Sequence, residues 1–199
     1  MSDAASLRLD QLPWDVRRGS QAIGWFILTE AMLFVAMFFS YFYLARNAAT
    51  WPPDAPPKLP LALLMLVILL SSSATLEKAK WHLRRHAETA ARWWVAGTIL
   101  LGIVFLGVQV LEYRDHLRSL RPTSDAYGSI FYTITTIHGL HVVLGLLMLL
   151  FVLALPRLEP RTRLPYHPFH NASLYWHFVD AVWVLIVFCL YLLPRLRLG

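Results

Sequence analysis

The sequence predicts an all-α integral membrane protein: a bundle of five transmembrane helices with a cytoplasmic N-terminus and the C-terminus outside. The first observation is composition, since 57% of the 199 residues are hydrophobic and 15% are charged. A soluble domain typically has about 45–50% apolar and about 25% charged residues. The second is a set of five long apolar stretches, and the third is an uneven distribution of lysine and arginine around them.

Each apolar stretch has a length that suits one membrane crossing. The stretches occupy about residues 22–45, 59–77, 93–113, 130–155 and 174–194. A span needs about 20 mostly apolar residues, and lipid cannot hydrogen-bond the backbone, so each stretch is predicted to be a helix. Prolines mark the connections, as in "WPPDAPPKLP" (51–60). Residues 1–21 are predicted to be a polar cytoplasmic arm, and residues 22–199 the five-helix domain.

Lysine and arginine predict the orientation, because cytoplasmic loops carry more of them. The arm, the second loop and the fourth loop hold eleven of the 18, namely Arg8, Arg17, Arg18, Lys78, Lys80, Arg84, Arg85, Arg92, Arg157, Arg161 and Arg163. The other side holds Arg46, Lys58, Arg114, Arg118, Arg121, Arg195 and Arg197. These basic residues adjoin apolar runs, which indicates anionic lipid headgroups rather than nucleic acid as their partners, with Arg84, Arg85 and Arg92 as candidate headgroup ligands.

Ionisable residues inside the apolar stretches are candidates for function, because charges are costly in hydrocarbon. At about 1.5 Å of rise per residue, Glu30 lies about 12 Å from the cytoplasmic end of its helix. His177 and Asp180 lie about 5 and 9 Å from that same side. These three side chains are therefore expected to share an inner layer. If the first and fifth helices touch, Glu30 is expected near His177.

A second polar layer is predicted toward the outside. Gln109 and Glu112 lie one turn apart near the end of the third helix, and His138 and His141 lie one turn apart on the fourth. All four fall about 20–30 Å from the cytoplasmic side. The intramembrane polar residues are therefore predicted to lie in two layers, and an interhelical polar network is one of three interpretations of them.

Three interpretations of these residues remain open. His138 and His141 share a helix face, and imidazole suits iron, copper and zinc, but no facing helix offers a histidine at the same depth. Acids and histidines also relay protons across membranes. The third interpretation is interhelical hydrogen bonding that fixes the packing. An autonomous transporter is a more distant alternative, which the unmatched depths of the two layers disfavour.

Several motifs resemble a known family. "TTIHGLHVVLG" (135–145) followed by "ASLYWHFVDAVWV" (172–184) is similar to subunit III of the haem–copper oxidases, most closely the cytochrome c oxidase type. The segments "LTEAMLFVAMFFSYF" (28–42), "LLSSSAT" (69–75) and "GVQVLEY" (107–113) agree in the same order. The familiar mitochondrial form has seven helices, whereas this chain resembles its last five, as in short bacterial forms.

The resemblance implies a non-redox subunit of a proton-pumping terminal oxidase in a bacterial inner membrane. Haem and copper then belong to subunits I and II, and no cofactor, metal or catalytic centre is expected on this chain. It implies that the chain packs mainly against subunit I, binds phospholipid, and supports the stability and proton uptake of the complex. The resemblance also implies cytochrome c or quinol as the electron donor of the complex. A quinol oxidase subunit or a nitric oxide reductase accessory subunit is the alternative within the family.

Overall fold

Helices account for most of the residues that the computed structural model describes, which are 14–53, 59–116, 125–158 and 166–198. The helices are α1 (Trp14–Asn47), α2 (Leu59–Arg84), α3 (Glu88–His116), α4 (Ala126–Leu158) and α5 (Tyr166–Ile186), and α5 continues through a π-helical segment (Val187–Leu192) into α6 (Leu193–Leu198). Within these described ranges, five spans are long and apolar enough to cross a membrane, with α5 and the turns after it forming the fifth. The predicted fold class is confirmed, while the orientation stays a prediction.

The helices extend beyond the apolar stretches that predict them. Residues 14–21 of the predicted arm are the start of α1, and residues 1–13 lie outside the described residues. Hydropathy marks only the part of a helix that suits lipid, whereas capping and chain-breaking residues decide where the helix ends. At the start of α4, for example, the carboxylate of Asp125 accepts a hydrogen bond of 2.6 Å from the backbone N–H of Gly128.

A tight turn joins α2 to α3. The N–H of Ala87 donates to the carbonyl of His82, and the N–H of His86 donates to that of Leu83. This pair of bonds is a Schellman motif. His86 has φ of 59°, the left-handed region in which histidine is enriched among residues other than glycine. The turn makes α2 and α3 antiparallel neighbours, and they are the most extensively packed pair of helices.

The core centres on Trp176, a fully buried side chain of α5. Its indole N–H donates a hydrogen bond of 2.9 Å to Ser72 Oγ on α2. Glycines give the ring its space on two other helices, since a Cβ at Gly102 of α3 or at Gly145 of α4 would lie 2.8 Å from a ring carbon. One aromatic side chain therefore fixes α5 against α2, α3 and α4.

The first helix lies at the edge of this bundle. Along the membrane-spanning part of α1, only Phe34, Met37 and Tyr41 are buried, and they face α4 and α5. Ile23, Ile27 and Phe38 are partly buried against the core, whereas most of its other large apolar side chains are exposed, as expected for a helix that is apolar all round and faces lipid or another membrane chain. The inner face of α1 also carries Glu30, which therefore points toward the bundle.

Candidate functional site

The first polar cluster joins α2 to α5 around His177. Nδ1 of this imidazole lies 2.9 Å from Ser73 Oγ, and Nε2 lies 3.0 Å from Glu77 Oε1. Lys80 Nζ is 3.3 Å from the same Glu77 oxygen. Ser73 and Glu77 are four residues apart on α2 and so lie on one face of the helix. That face presents a hydroxyl and a carboxylate to the two nitrogens of one histidine.

The same cluster reaches a buried acid. Ser73 Oγ also donates a hydrogen bond to Asp180 Oδ2, and His177 Nδ1 lies 3.9 Å from that oxygen. The Asp180 side chain is 7% exposed, whereas those of His177 and Glu77 are 36% and 53% exposed. Asp180 Oδ1 is buried without a hydrogen-bond partner among the described residues. The cluster therefore runs from the surface of the chain to its interior, and it contains both His177 and Asp180.

The second polar contact joins an acid on α1 to a histidine on α4. His141 Nε2 lies 2.9 Å from Glu30 Oε2. The expectation that Glu30 pairs with His177 is wrong, since His177 takes its partners from α2 and from its own helix. The reason is that each depth is counted from the predicted end of a helix. An error of one residue in that end shifts the depth by about 1.5 Å. Glu30 and His141, assigned to different layers, are neighbours in space.

The other nitrogen of His141 fixes its tautomer. Nδ1 lies 2.7 Å from the carbonyl oxygen of Ile137. Because a carbonyl only accepts, Nδ1 must carry a proton. A single further proton then lies between Nε2 and the Glu30 carboxyl, so the pair is either a neutral acid with neutral imidazole or a carboxylate with imidazolium. Phe34 packs edge-on against the ring, with centroids 5.0 Å apart.

The third contact lies between α3 and α4. The amide nitrogen of Gln109 donates to the Thr135 carbonyl at 2.8 Å and to the Tyr113 hydroxyl at 3.2 Å. The Tyr113 hydroxyl in turn donates to Thr135 Oγ1 at 2.8 Å. A Cβ on Gly139 would lie 3.0 Å from Gln109 Oε1, so the glycine makes room for this amide. The hydrogen bonds tie an amide side chain to a helix backbone and suit packing rather than chemistry.

Glu112 is separate from this contact. It is 2% exposed, and its Oε1 accepts a hydrogen bond of 2.9 Å from the Tyr191 hydroxyl in the π-helical segment. The extra residue in a π-helical turn shifts the phase of the side chains that follow. The segment therefore helps set which face of the chain carries the phenol.

His138 does not take part in a hydrogen-bonded network. It is completely buried, and neither ring nitrogen has a hydrogen-bond partner among the described residues. Its ring stacks on Trp183 with centroids 5.0 Å apart, and Phe105 packs edge-on at 5.8 Å. The expectation that His138 joins the polar network is therefore wrong. It shares a helix face with His141, but that face meets an acid at one turn and aromatic rings at the next.

The predicted lipid-headgroup residues lie around the α2–α3 turn. Arg84 and Arg85 are exposed, and the Arg85 guanidinium lies 3.8 Å from the centre of the Trp81 ring. Arg92 is half-buried, and its Nε has no hydrogen-bond partner within the described ranges. Tryptophan and arginine together are typical of a membrane interface. Their binding to lipid stays a prediction.

The structure adds residues that the sequence did not single out. These residues are Ser73, Glu77 and Tyr191, and each forms a hydrogen bond with a predicted site residue. The spacing of Ser73 and Glu77 on α2 is a signal that was present in the sequence, whereas nothing local links Tyr191 to Glu112. Across the described residues, no group of three or more histidine, cysteine, aspartate and glutamate side chains is arranged to hold a metal ion.

Comparisons with known proteins identify the family of the chain. A family model described as cytochrome c oxidase subunit III matches residues 14–194, which include four of the spans and all but the last two residues of the fifth. The chain belongs to the cytochrome c oxidase subunit III family. This membership makes it a subunit of an oxidoreductase complex and a multi-pass membrane protein that assembles with other oxidase subunits.

Relatives named cytochrome c oxidase subunit 3 are similar over most of the chain. The protein of Synechocystis is 36% identical over 171 residues, which is 84% of this chain and 72% of that protein. The Bacillus subtilis protein is 36% identical over 172 residues, or 84% of this chain and 83% of that protein. The protein of the lancelet Branchiostoma lanceolatum is 33% identical over 174 residues, or 83% and 66%.

These names confirm the resemblance and the predicted function at the level of the family. The quinol oxidase and nitric oxide reductase alternatives are not favoured, because the relatives compared carry the cytochrome c oxidase name. An autonomous transporter is not favoured either.

Proposed function

We propose that this chain is a subunit III that carries no redox centre of its own and packs mainly against subunit I, within a complex that also contains subunit II. The complex reduces oxygen, with cytochrome c as its electron donor, and pumps protons. The haems and copper lie on the partner subunits. The observation that carries this proposal is the family match across all five spans.

The polar contacts support a role in stabilising the complex. Most predicted polar residues connect two helices: Glu30 and His141 join α1 to α4, Gln109 joins α3 to α4, and His177 joins α5 to α2. Interhelical hydrogen bonds of this kind are each worth about 0.6–2 kcal/mol in membrane proteins. We infer that Glu30, His141, Gln109, Glu112, His177 and Asp180 set the shape that the chain presents to its partners, and that His177 with Asp180 also serves proton uptake.

A bacterial plasma membrane is the proposed location, with the N-terminus inside. The bacterial relatives from Synechocystis and Bacillus subtilis, each 36% identical over 84% of the chain, support this location. The arginines and tryptophans around the α2–α3 turn would then lie at the cytoplasmic surface, as the positive-inside rule expects.

Phospholipid is a further proposed partner. A groove of about 440 Å³ lies between the start of α1, the end of α4 and the start of α5, with Phe26, Phe151 and Val152 among its lining residues. Apart from Asn171, the residues that line it have no polar side-chain atoms. A groove with this lining suits an acyl chain. Arg84, Arg85 and Arg92 are the candidate headgroup ligands elsewhere on the same side.

The test is purification of the native complex in mild detergent through a tag on this chain. We expect two larger chains and a haem difference spectrum to accompany the tag. We also expect the spectrum to stay with those chains when this chain is stripped away. A haem spectrum that remains on the isolated chain would overturn the non-redox assignment and restore the histidines as ligands. A colourless chain that purifies without partners would overturn the subunit assignment.

A further inference from the structure

Two acid–imidazole contacts of this chain differ in how their protons can move. In the Glu30–His141 pair, Nδ1 of the imidazole is bonded to a backbone carbonyl at 2.7 Å, so a proton that enters at Nε2 finds no acceptor beyond the ring that can pass it on. In the cluster on α2 and α5, both nitrogens of His177 face groups that can give and take protons. The imidazole of the first pair cannot pass a proton on, whereas His177 can accept a proton at one nitrogen and release one at the other.

The cluster around His177 contains a continuous hydrogen-bonded path. It begins at Glu77, whose side chain is 53% exposed, and passes to His177 Nε2 over 3.0 Å. From Nδ1 it continues to Ser73 Oγ over 2.9 Å, and Ser73 donates to Asp180. Each step is within hydrogen-bond distance, which is the geometric requirement for proton transfer between side chains.

We propose that Asp180 is a proton-storage site, filled through His177 and bridged to it by the hydroxyl of Ser73. Glu77 is the entry point, because it is the exposed end of the path. It lies seven residues before the end of α2 at Arg84, about 10 Å along the helix axis. The acid therefore exchanges protons with the face of the membrane at which α2 ends.

The proton steps balance without any movement of heavy atoms. With Asp180 ionised and His177 neutral, Nδ1–H donates to Ser73 and the serine hydroxyl donates to the carboxylate. A proton delivered by Glu77 binds Nε2 and makes an imidazolium. The Nδ1 proton then passes to Ser73 as the serine proton passes to Asp180, which becomes a neutral acid. The imidazole is left neutral with its proton on Nε2, and every hydrogen bond is kept with donor and acceptor exchanged.

Basic side chains lie around the entry of the path. Lys80 lies 3.3 Å from the carboxylate at the entry, and His170, which interacts electrostatically with Lys80, Arg84, His167 and Glu77, is near the same end of the path. The described acid and base that meet between α1 and α4, Glu30 and His141, pair with each other. The carboxyl at the inner end therefore depends on the serine bridge for its proton supply.

The serine bridge has a matched control on the same helix. Ser73→Ala removes the bridging hydroxyl, whereas Ser71→Ala makes the same change at an exposed position of α2. Ser73→Thr keeps a hydroxyl at the bridge. His177→Gln keeps hydrogen-bonding groups but cannot bind a proton at one atom and release another elsewhere.

The experiment measures the exchange of the Asp180 proton itself. The full-length chain, purified with its partners in mild detergent, is transferred from H₂O to D₂O and followed by infrared spectroscopy. The carboxylic acid band that disappears in Asp180→Asn reports on the stored proton. In Ser73→Ala and in His177→Gln we expect this band to exchange at least about tenfold more slowly than in the unmodified protein, since positioned proton donors typically contribute 10²–10⁴-fold.

Each outcome decides the proposal. Normal exchange in Ser73→Thr and Ser71→Ala, with slow exchange in Ser73→Ala, supports the bridge. If Ser73→Ala does not assemble, His177→Gln decides in the same way. Unchanged exchange in both of those variants, or no protonated carboxyl assignable to Asp180 at any pH at which the protein is folded, overturns it. The inference rests on the proposed function only where it assigns the path to proton uptake. Because exchange is measured without turnover, failure of the path is distinguishable from failure of the subunit assignment.

Discussion

Gly145 is the position at which one added methyl group should disturb the core most clearly. In Gly145→Ala the new Cβ would lie 2.8 Å from Trp176 Cε3 and 3.1 Å from Cζ3, whereas carbon atoms in contact prefer about 3.5–4.0 Å. The ring has little room to retreat, since Gly102 of α3 faces its other edge and Ser72 holds its N–H. The overlap at Gly145 is therefore about 0.7 Å and must be relieved by a shift of the α4–α5 pair.

Overpacking of this kind costs typically about 1–3 kcal/mol. Alanine is also a better helix former than glycine, by up to about 1 kcal/mol in water. A control is therefore needed in which glycine is replaced by alanine without any steric overlap. Gly107→Ala supplies it, because a Cβ at this position of α3 meets nothing within 4 Å. The difference in the free energy of unfolding between the two variants should therefore be about 1–3 kcal/mol.

The assay is thermal denaturation of the detergent-solubilised, tagged protein, followed by the fraction that elutes as folded protein on size exclusion after heating. Gly145→Ala should lose that fraction at a lower temperature than Gly107→Ala. A double variant with Trp176→Phe should narrow the gap, because contacting residues are not additive. Equal midpoints for Gly145→Ala and Gly107→Ala would refute the reasoning, because they would show that the Trp176 ring accommodates the added methyl group without cost.

The carboxyl groups of Glu30 and Glu112 give two further predictions, both measured by the yield and thermal midpoint of the assembled protein. Glu30→Gln should assemble normally, because the amide can still donate to His141 Nε2, whereas Glu30→Leu leaves that nitrogen unpaired and should cost about 1–3 kcal/mol; equal behaviour of the two variants would contradict this. Tyr191→Phe removes the donor to the buried carboxyl of Glu112 and should cost about 1–3 kcal/mol. The loss should shrink when Glu112 is also replaced by Leu, and an unchanged loss would show that the hydrogen bond is not its cause.

The sequence by itself determined the number and kind of the helices. Each span is long and apolar enough to be recognised alone, because lipid demands both length and internal hydrogen bonding of every crossing segment. The motifs around Glu30, His141 and His177 also carried the family resemblance, since residue order survives whatever the packing. The family model confirms it over residues 14–194.

Only the tertiary structure decided which polar side chains meet. A hydrogen bond needs its atoms within about 3 Å, whereas depth read from sequence is uncertain by several residues of about 1.5 Å each. Glu30 was therefore matched in depth to His177, although its partner is His141 on α4. These helices are apolar all round, so periodicity does not show which face meets which neighbour. That is why His138 meets Trp183 and finds no hydrogen-bond partner among the described residues, while Ser73, one of three consecutive serines, connects His177 to Asp180.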